Sequence, residues 1–371
     1  MAQRALVSIT GDVLRWAVDE SGLTTLEVSR AAGVDEAELL AWMGETSRPS
    51  ITQTRRLASS LHRQVAFFLL PRVPESTTPA IEFRHPIGQS SRQLSPVERR
   101  YLRRARRLQE TQAWLLQELE RDAARVPSLS LEVAPDDAAS QVRSLLAVGA
   151  DEQFRWRSAS EAFDRWRNAL EAIGVTVVQF AMGERACRGF SIWDETVPLN
   201  AVNTTWRDEA RIYTLFHELG HLVTRTNSAC SDAPETPDAR DPVERWCEEF
   251  GAAVLMPRVA LGTVAPVADV AGLRRVAARF KVSLRAMAIR LIGLGQASWT
   301  LYREIPATSE AKSGGGGGTG RNRSEIRADE IGPRSTEIFV TAVQRDIISE
   351  SQALDYMDIP AIEFERLRDA V

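Results

Sequence analysis

The chain is 371 residues long with 44% hydrophobic and 26% charged residues, too long for one typical domain and too apolar for a disordered chain. A formal net charge of −4 excludes general attraction to polyanions, so any nucleic-acid contact must come from a local patch. Three cysteines (Cys187, Cys230, Cys247) without a CxxC pair exclude a disulfide framework, and neither the opening MAQRALVSITGDVLRW nor a run such as VAFFLL at 65–70 can serve as a signal core or bilayer span, so a cytoplasmic protein without a membrane partner is expected.

Residues 1–75 read as an all-helical module. Val13, Leu14, Ala17 and Val18 give a first helix one apolar face, and Gly22 ends it. Thr24 with Glu27 forms a capping-box pattern for a second helix to Ala32, and Gly33 supplies a tight turn. Asp35 with Glu38 forms another such pattern, opening a third helix through Trp42; a fourth follows the GETSRPS loop, near Ile51–Leu61. Helix, turn at Gly33 and helix follow in helix-turn-helix order.

Residues 76–127 read as a linker and an Arg-rich helix, with Pro, Ser and Thr frequent over 71–97. At about 100° per residue, Arg99, Arg100, Arg103, Arg104, Arg106 and Arg107 fall within roughly 160° of a helix over 97–125. That face can meet phosphates, pair with acids of a neighbouring domain or sit in solvent, and the last two are favoured.

Residues 128–306 mix helices and strands. Helices are expected at 136–148 and 158–173, strands at 175–180, 188–193 and 197–203, and a helix from Asp208 to Thr224. A loop over 226–241 precedes a helix from Pro242 to Met256, and two helical stretches fill 268–293. Residues 307–320, with SGGGGGTG at 313–320, read as a flexible linker, and 321–371 as a small helical C-terminal segment. The fold class is α+β, with a small antiparallel sheet from 175–203 packed on the helices at 208–224 and 242–256.

The chemistry lies in FHELGH at 216–221. His217 and His221 stand at i and i+4, so one helix face presents both imidazoles to one ion. Glu218 sits one step round, where it can reach a metal-bound water without being a ligand. The flanks Leu215, Phe216, Leu219, Leu222 and Val223 are apolar, so the segment reads as buried, where unpaired charges are costly. A zinc ion would need a third ligand and one open position. The helix DPVERWCEEFGAAVLMP offers Glu244 and Glu248, one turn apart on a shared face. Glu244 is the choice, with Glu248 then accepting a hydrogen bond from a ligand histidine. Spacing alone leaves the reverse assignment open, and Glu249 is displaced from that face. Cys247 reads as a packed thiol, because a fourth ligand would close the site.

RIYTLFHELGHLV at 211–223, VERWCEEFGAAVLMP at 243–257 and FKVSLRAMAIRLIGLGQAS at 280–298 resemble, in order and spacing, the ImmA/IrrE-type metallopeptidase family. The helical module followed by IEFRHP at 81–86 resembles a subgroup with a repressor-like helix-turn-helix domain, and the last 50 residues resemble a tail of some members. The resemblance implies a zincin-like domain with Zn²⁺ held by His217, His221 and Glu244, and Glu218 as base. It also implies cleavage of a regulatory protein, usually a transcriptional repressor, in stress or mobile-element control. Where the family pattern often has Asn, this chain has Glu248.

The expected function is therefore zinc-dependent endopeptidase activity by water attack on a peptide carbonyl. The strand near Val197–Asn203 is expected to hold an extended substrate by β-addition. The alternative is a helix-turn-helix DNA-binding regulator whose metal site is sensory or structural. Residues 1–80 carry eight arginines against nine acids, and Asp35, Glu36 and Glu38 open the presumed recognition helix. Contact with phosphate there is disfavoured, no DNA-contacting residue stands out, and partner docking is the competing role.

Overall fold

The computed structural model describes residues 5–74, 94–226, 228–230, 241–262, 267–307, 311–312, 323–357 and 359. Most of the expected arm, including IEFRHP at 81–86, most of the 226–241 loop and the glycine run at 313–320 lie outside the described residues. The described chain divides into two compact units, one reaching Arg104 and the other starting at Ala105.

The first unit holds helices α1 (Gly11–Ser21), α2 (Thr25–Ala32), α3 (Glu36–Met43) and α4 (Ile51–Ser60), a 3-10 turn (Val65–Leu69) and the start of α5 (Pro96–Glu118). Leu14, Val28, Leu39, Trp42, Leu57 and Phe68 form its core. α1 stops at Gly22 in the left-handed region (φ 73°), and α2 turns at Gly33 (φ 67°), where a side chain would be strained. The Thr24/Glu27 capping box forms as expected. The Asp35/Glu38 box does not, since Asp35 makes no side-chain cap. Glu38 instead accepts a hydrogen bond from Gln53 Nε2 (2.9 Å) on α4, and Ser50/Gln53 form a capping box of their own. A tertiary partner 15 residues away wins over the local pattern. Within this unit Arg103 pairs with Glu20 (2.6 Å), and Arg99 donates to Leu94 O and Glu20 O. These arginines of α5 are thus already engaged with the protein.

The second unit opens with the rest of α5, then α6 (Pro135–Leu146), α7 (Ala150–Arg155), α8 (Ala159–Ala172), β1 (Thr176–Phe180), β2 (Gly189–Ile192) and β3 (Leu199–Asn203). There follow α9 (Asp208–Val223), β4 (Ser228–Cys230), α10 (Pro242–Leu255), α11 (Arg258–Leu261), α12 (Val270–Phe280), α13 (Leu284–Gly293) and α14 (Trp299–Arg303). The last elements are α15 (Arg323–Ile331), α16 (Pro333–Gln344) and α17 (Glu350–Met357).

The sheet is mixed, not antiparallel as expected. Its order is β1-β3-β2-β4. β1 pairs in parallel with β3 (Val178 beside Ala201), while β2 runs antiparallel to β3 and to β4. β4 lies in the stretch expected to be loop. β3 is an interior strand with both edges paired, so it cannot accept an added substrate strand. All five of its residues are buried, a pattern without the alternation that would mark a solvent face.

Buried polar side chains bind this sheet to its surroundings. Asn200 Nδ2 donates to Leu215 O of α9 (2.7 Å), and Gln109 Nε2 of α5 donates to Val197 O (2.8 Å). The buried Arg167–Glu171 pair of α8 (3.0 Å) reaches the C-terminal helices: Arg167 donates to Val177 O and Asp329 O, and Glu171 accepts from Arg334 N. Gly332 (φ 95°) passes so close that an added Cβ would collide with both side chains. The C-terminal helices thus close over this buried charge pair. No described helix is long and apolar enough to cross a membrane.

Candidate metal centre

α9 is a buried helix. From Ala210 to Val223 every residue except Tyr213 is buried, with Asp208 and Glu209 in the first turn complementing the helix dipole. Phe216 meets Trp166 edge to face (4.8 Å), fixing the helix on α8. α10 starts with Pro242 at its first turn, and the Asp241 side chain accepts from Val243 N. That start sets Glu244 in the first turn of α10, opposite the two histidines of α9.

His217 Nε2 and His221 Nε2 lie 3.2 Å apart. Glu244 Oε2 is 3.2 Å from His217 Nε2, and its Oε1 is 3.5 Å from His221 Nε2. An ion with tetrahedral bonds of about 2.0–2.1 Å spaces its ligands by roughly 3.3–3.4 Å. The two imidazole nitrogens hold that spacing, and each faces a different oxygen of the Glu244 carboxylate near it, so this residue set fits a divalent metal bound between the three side chains. The side chains of His217, His221 and Glu244 are 9%, 2% and 28% exposed, so the centre opens on the Glu244 side.

The electrostatics agree. Burial alone would raise the Glu244 carboxyl, but the two imidazoles against it hold it far below the usual carboxylate range. Burial pushes His217 down, yet contact with Glu244 and the charges of Glu218, Glu244 and Glu248 move it upward overall. The Glu244 carboxylate and the His217 imidazole thus favour each other's charged forms. For Cys247, burial first and then Glu244, Glu218, Asp241 and Glu248 push the thiol well up. It stays protonated, as a packed thiol should, and does not join the ligand group.

Glu218 is fully buried beside β2. An added Cβ at Gly189 would stand 3.4 Å from its Cγ and collide with Thr214 Cγ2 and Ala201 O. Glu248, one turn beyond Glu244, is outside the group of converging ligand atoms. Its carbonyl accepts from Tyr213 Oη (3.0 Å), and His221 Nδ1 lies 2.9 Å from Thr226 Oγ1.

Glycines let α9 and α10 approach. An added Cβ at Gly220 would stand 2.9 Å from Cys247 Sγ, and one at Gly251 would stand 3.1 Å from His217 N. Gly220 lies within the FHELGH motif and Gly251 within the partner helix, so their small size was the available signal. Thr226 follows the expected helix end and carried no signal by residue type alone.

Two buried helices that bring HExxH against an acidic residue have the arrangement of a metallopeptidase domain. Residues 170–292 match the family model described as Peptidase_M78, IrrE N-terminal-like domain. The ImmA/IrrE resemblance of the sequence motifs holds for that stretch, from the end of α8 to α13 and about a third of the chain. The match reaches neither the first unit nor α15–α17. No curated protein matches the chain.

Proposed function

We propose that the chain is a zinc-dependent endopeptidase that cleaves a regulatory protein, with a transcriptional repressor as substrate. The observation that carries this reading is the convergence of His217 Nε2, His221 Nε2 and the Glu244 carboxylate, whose ligand atoms lie within 4.8 Å of one another, with Glu218 buried on the same helix. A zinc ion held by these three would supply Lewis acidity toward a peptide carbonyl and lower the pKa of the attacking water. Glu218 takes the proton of that water and passes it to the leaving amine. Its burial excludes bulk solvent from the carboxylate. Glu244, the most exposed of the three, marks the side from which a peptide would approach in this reading.

The N-terminal unit serves in docking or control in this reading. Glu36 is bonded by Thr25 Oγ1 and Glu38 by Gln53, while Leu40 on the same helix is 51% exposed. An acidic start with an exposed apolar residue suits a protein partner better than phosphate.

The test uses zinc-loaded protein and a panel of helix-turn-helix repressors as candidate substrates, starting with any encoded beside its gene. The wild type is expected to yield discrete fragments. Glu218→Gln should keep its zinc and slow cleavage by about 10²–10⁴-fold. Cleavage at the wild-type rate by the zinc-loaded variant removes Glu218 as base. Tight zinc binding without cleavage of any candidate favours a sensory or structural metal in a DNA-binding regulator.

A further inference from the structure

We infer that Thr226 is a positioning residue for His221: it holds the ring by its Nδ1 so that the Nε2 lone pair faces the metal centre. The inference rests on the reading of His217, His221 and Glu244 as metal ligands.

The placement starts from how α9 ends. Thr226 N donates to His221 O (2.8 Å) and Arg225 N to Leu222 O (3.3 Å), the paired bonds of a Schellman motif. That motif needs its residue beyond the cap in the left-handed region, and Arg225 is there (φ 60°) although it is not glycine. Arg225 is held by its own side chain. Its guanidinium lies 3.5 Å from the centre of the Trp193 ring and donates to Leu222 O (2.8 Å) and Val126 O (2.9 Å). The chain reversal carries Thr226 back beneath the last turn of the helix, against the ring five residues earlier.

The hydroxyls around the ring leave room for one arrangement of protons that suits a metal ligand. Thr224 Oγ1 donates to Gly220 O (2.9 Å). Thr226 Oγ1 has His221 O at 3.3 Å and Thr224 Oγ1 at 3.1 Å as acceptors for its single proton. The tautomer of His221 sets the direction of the 2.9 Å contact to Nδ1, and in the inferred arrangement the Thr226 proton goes to one of these oxygens and its lone pair accepts from Nδ1–H. A neutral imidazole protonated on Nδ1 carries its lone pair on Nε2, the atom that faces His217 Nε2 at 3.2 Å and Glu244 Oε1 at 3.5 Å. A hydroxyl therefore does here what a carboxylate or carbonyl does behind many metal-binding histidines.

The experiment measures zinc affinity of the full chain by competition with a chromogenic chelator, for the wild type, Thr226→Val and Thr226→Ser. Val keeps the shape and loses the hydroxyl, and Ser restores it. Thr226→Val should bind zinc about 10–100-fold more weakly, the size of effect that such supporting groups exert, and Thr226→Ser should recover most of it. The ¹⁵N shifts of His221 in zinc-free protein should report Nδ1–H in the wild type and a mixture of tautomers in Thr226→Val. Thermal unfolding of the zinc-free variants separates this from misfolding. Wild-type affinity and an unchanged tautomer in a folded Thr226→Val would overturn the inference and leave the metal site standing. Failure of the wild type itself to bind zinc would overturn both. A weakened Thr226→Val rescued by Ser supports the inference even if no substrate is cleaved.

Discussion

Replacing Gly220 by alanine asks whether the closeness of α9 and α10 sets the metal centre. An added Cβ would stand 2.9 Å from Cys247 Sγ, 3.0 Å from its Cβ and 3.1 Å from its Cα. Carbon contacts are comfortable at about 3.5–4.0 Å, so the helices must part by roughly half an ångström. Overpacking of this kind costs about 1–3 kcal/mol. Alanine in a helix interior returns up to about 1 kcal/mol relative to glycine. The net destabilisation of the zinc-free protein should be about 0–2 kcal/mol. The larger effect falls on the ion. Glu244 moves with α10 away from both histidines, and its oxygens, 3.2 Å from His217 Nε2 and 3.5 Å from His221 Nε2, draw away from an ion shared with them. Metal sites tolerate only about 0.5 Å of such error, and affinity should fall by about tenfold or more. Zinc competition titration and denaturant unfolding of the same samples read the two effects separately. Adding Cys247→Ala removes the nearest atom, Sγ, and should restore part of the affinity, but not all, because Cβ and Cα of residue 247 remain. A Gly220→Ala protein about 1 kcal/mol more stable, with wild-type zinc affinity, would refute the reasoning.

Two further outcomes are expected. Glu244→Ala should lose zinc outright, while Glu248→Ala should weaken it by no more than about 10–100-fold; a larger loss in the second variant would reverse the ligand choice. The full-length protein should bind duplex DNA weakly, with affinity falling as salt rises and little preference between sequences, whereas tight sequence-selective binding near physiological salt would make the first unit a DNA reader.

The features legible in the sequence are those that depend on neighbours along one helix. The pairing of His217 with His221 follows from helical period, and the buried state of α9 from the apolar residues around it. Gly22, Gly33 and the Thr24/Glu27 box mark helix ends, because backbone conformation and capping there are decided within a few residues. Even the two candidate carboxylates of α10 were visible as one face.

What the tertiary structure decided is which of several locally equal options meets a distant partner. Glu244 and Glu248 differ by one turn, and the approach of α10 to α9 through Gly220 and Gly251 puts the first against the imidazoles. Glu38 could cap its own helix, but Gln53 draws it away, since the fold places a donor 2.9 Å from it. Strand period says which residues alternate, not which strands pair or in which direction, so the parallel β1–β3 pairing and the interior place of β3 had no local signature. The Thr226 hydroxyl reaches His221 because Arg225 adopts a left-handed backbone held by Trp193, 32 positions earlier in the chain. Local propensity is a property of a few residues, whereas these contacts become favourable only after non-local packing has brought their partners within hydrogen-bond reach.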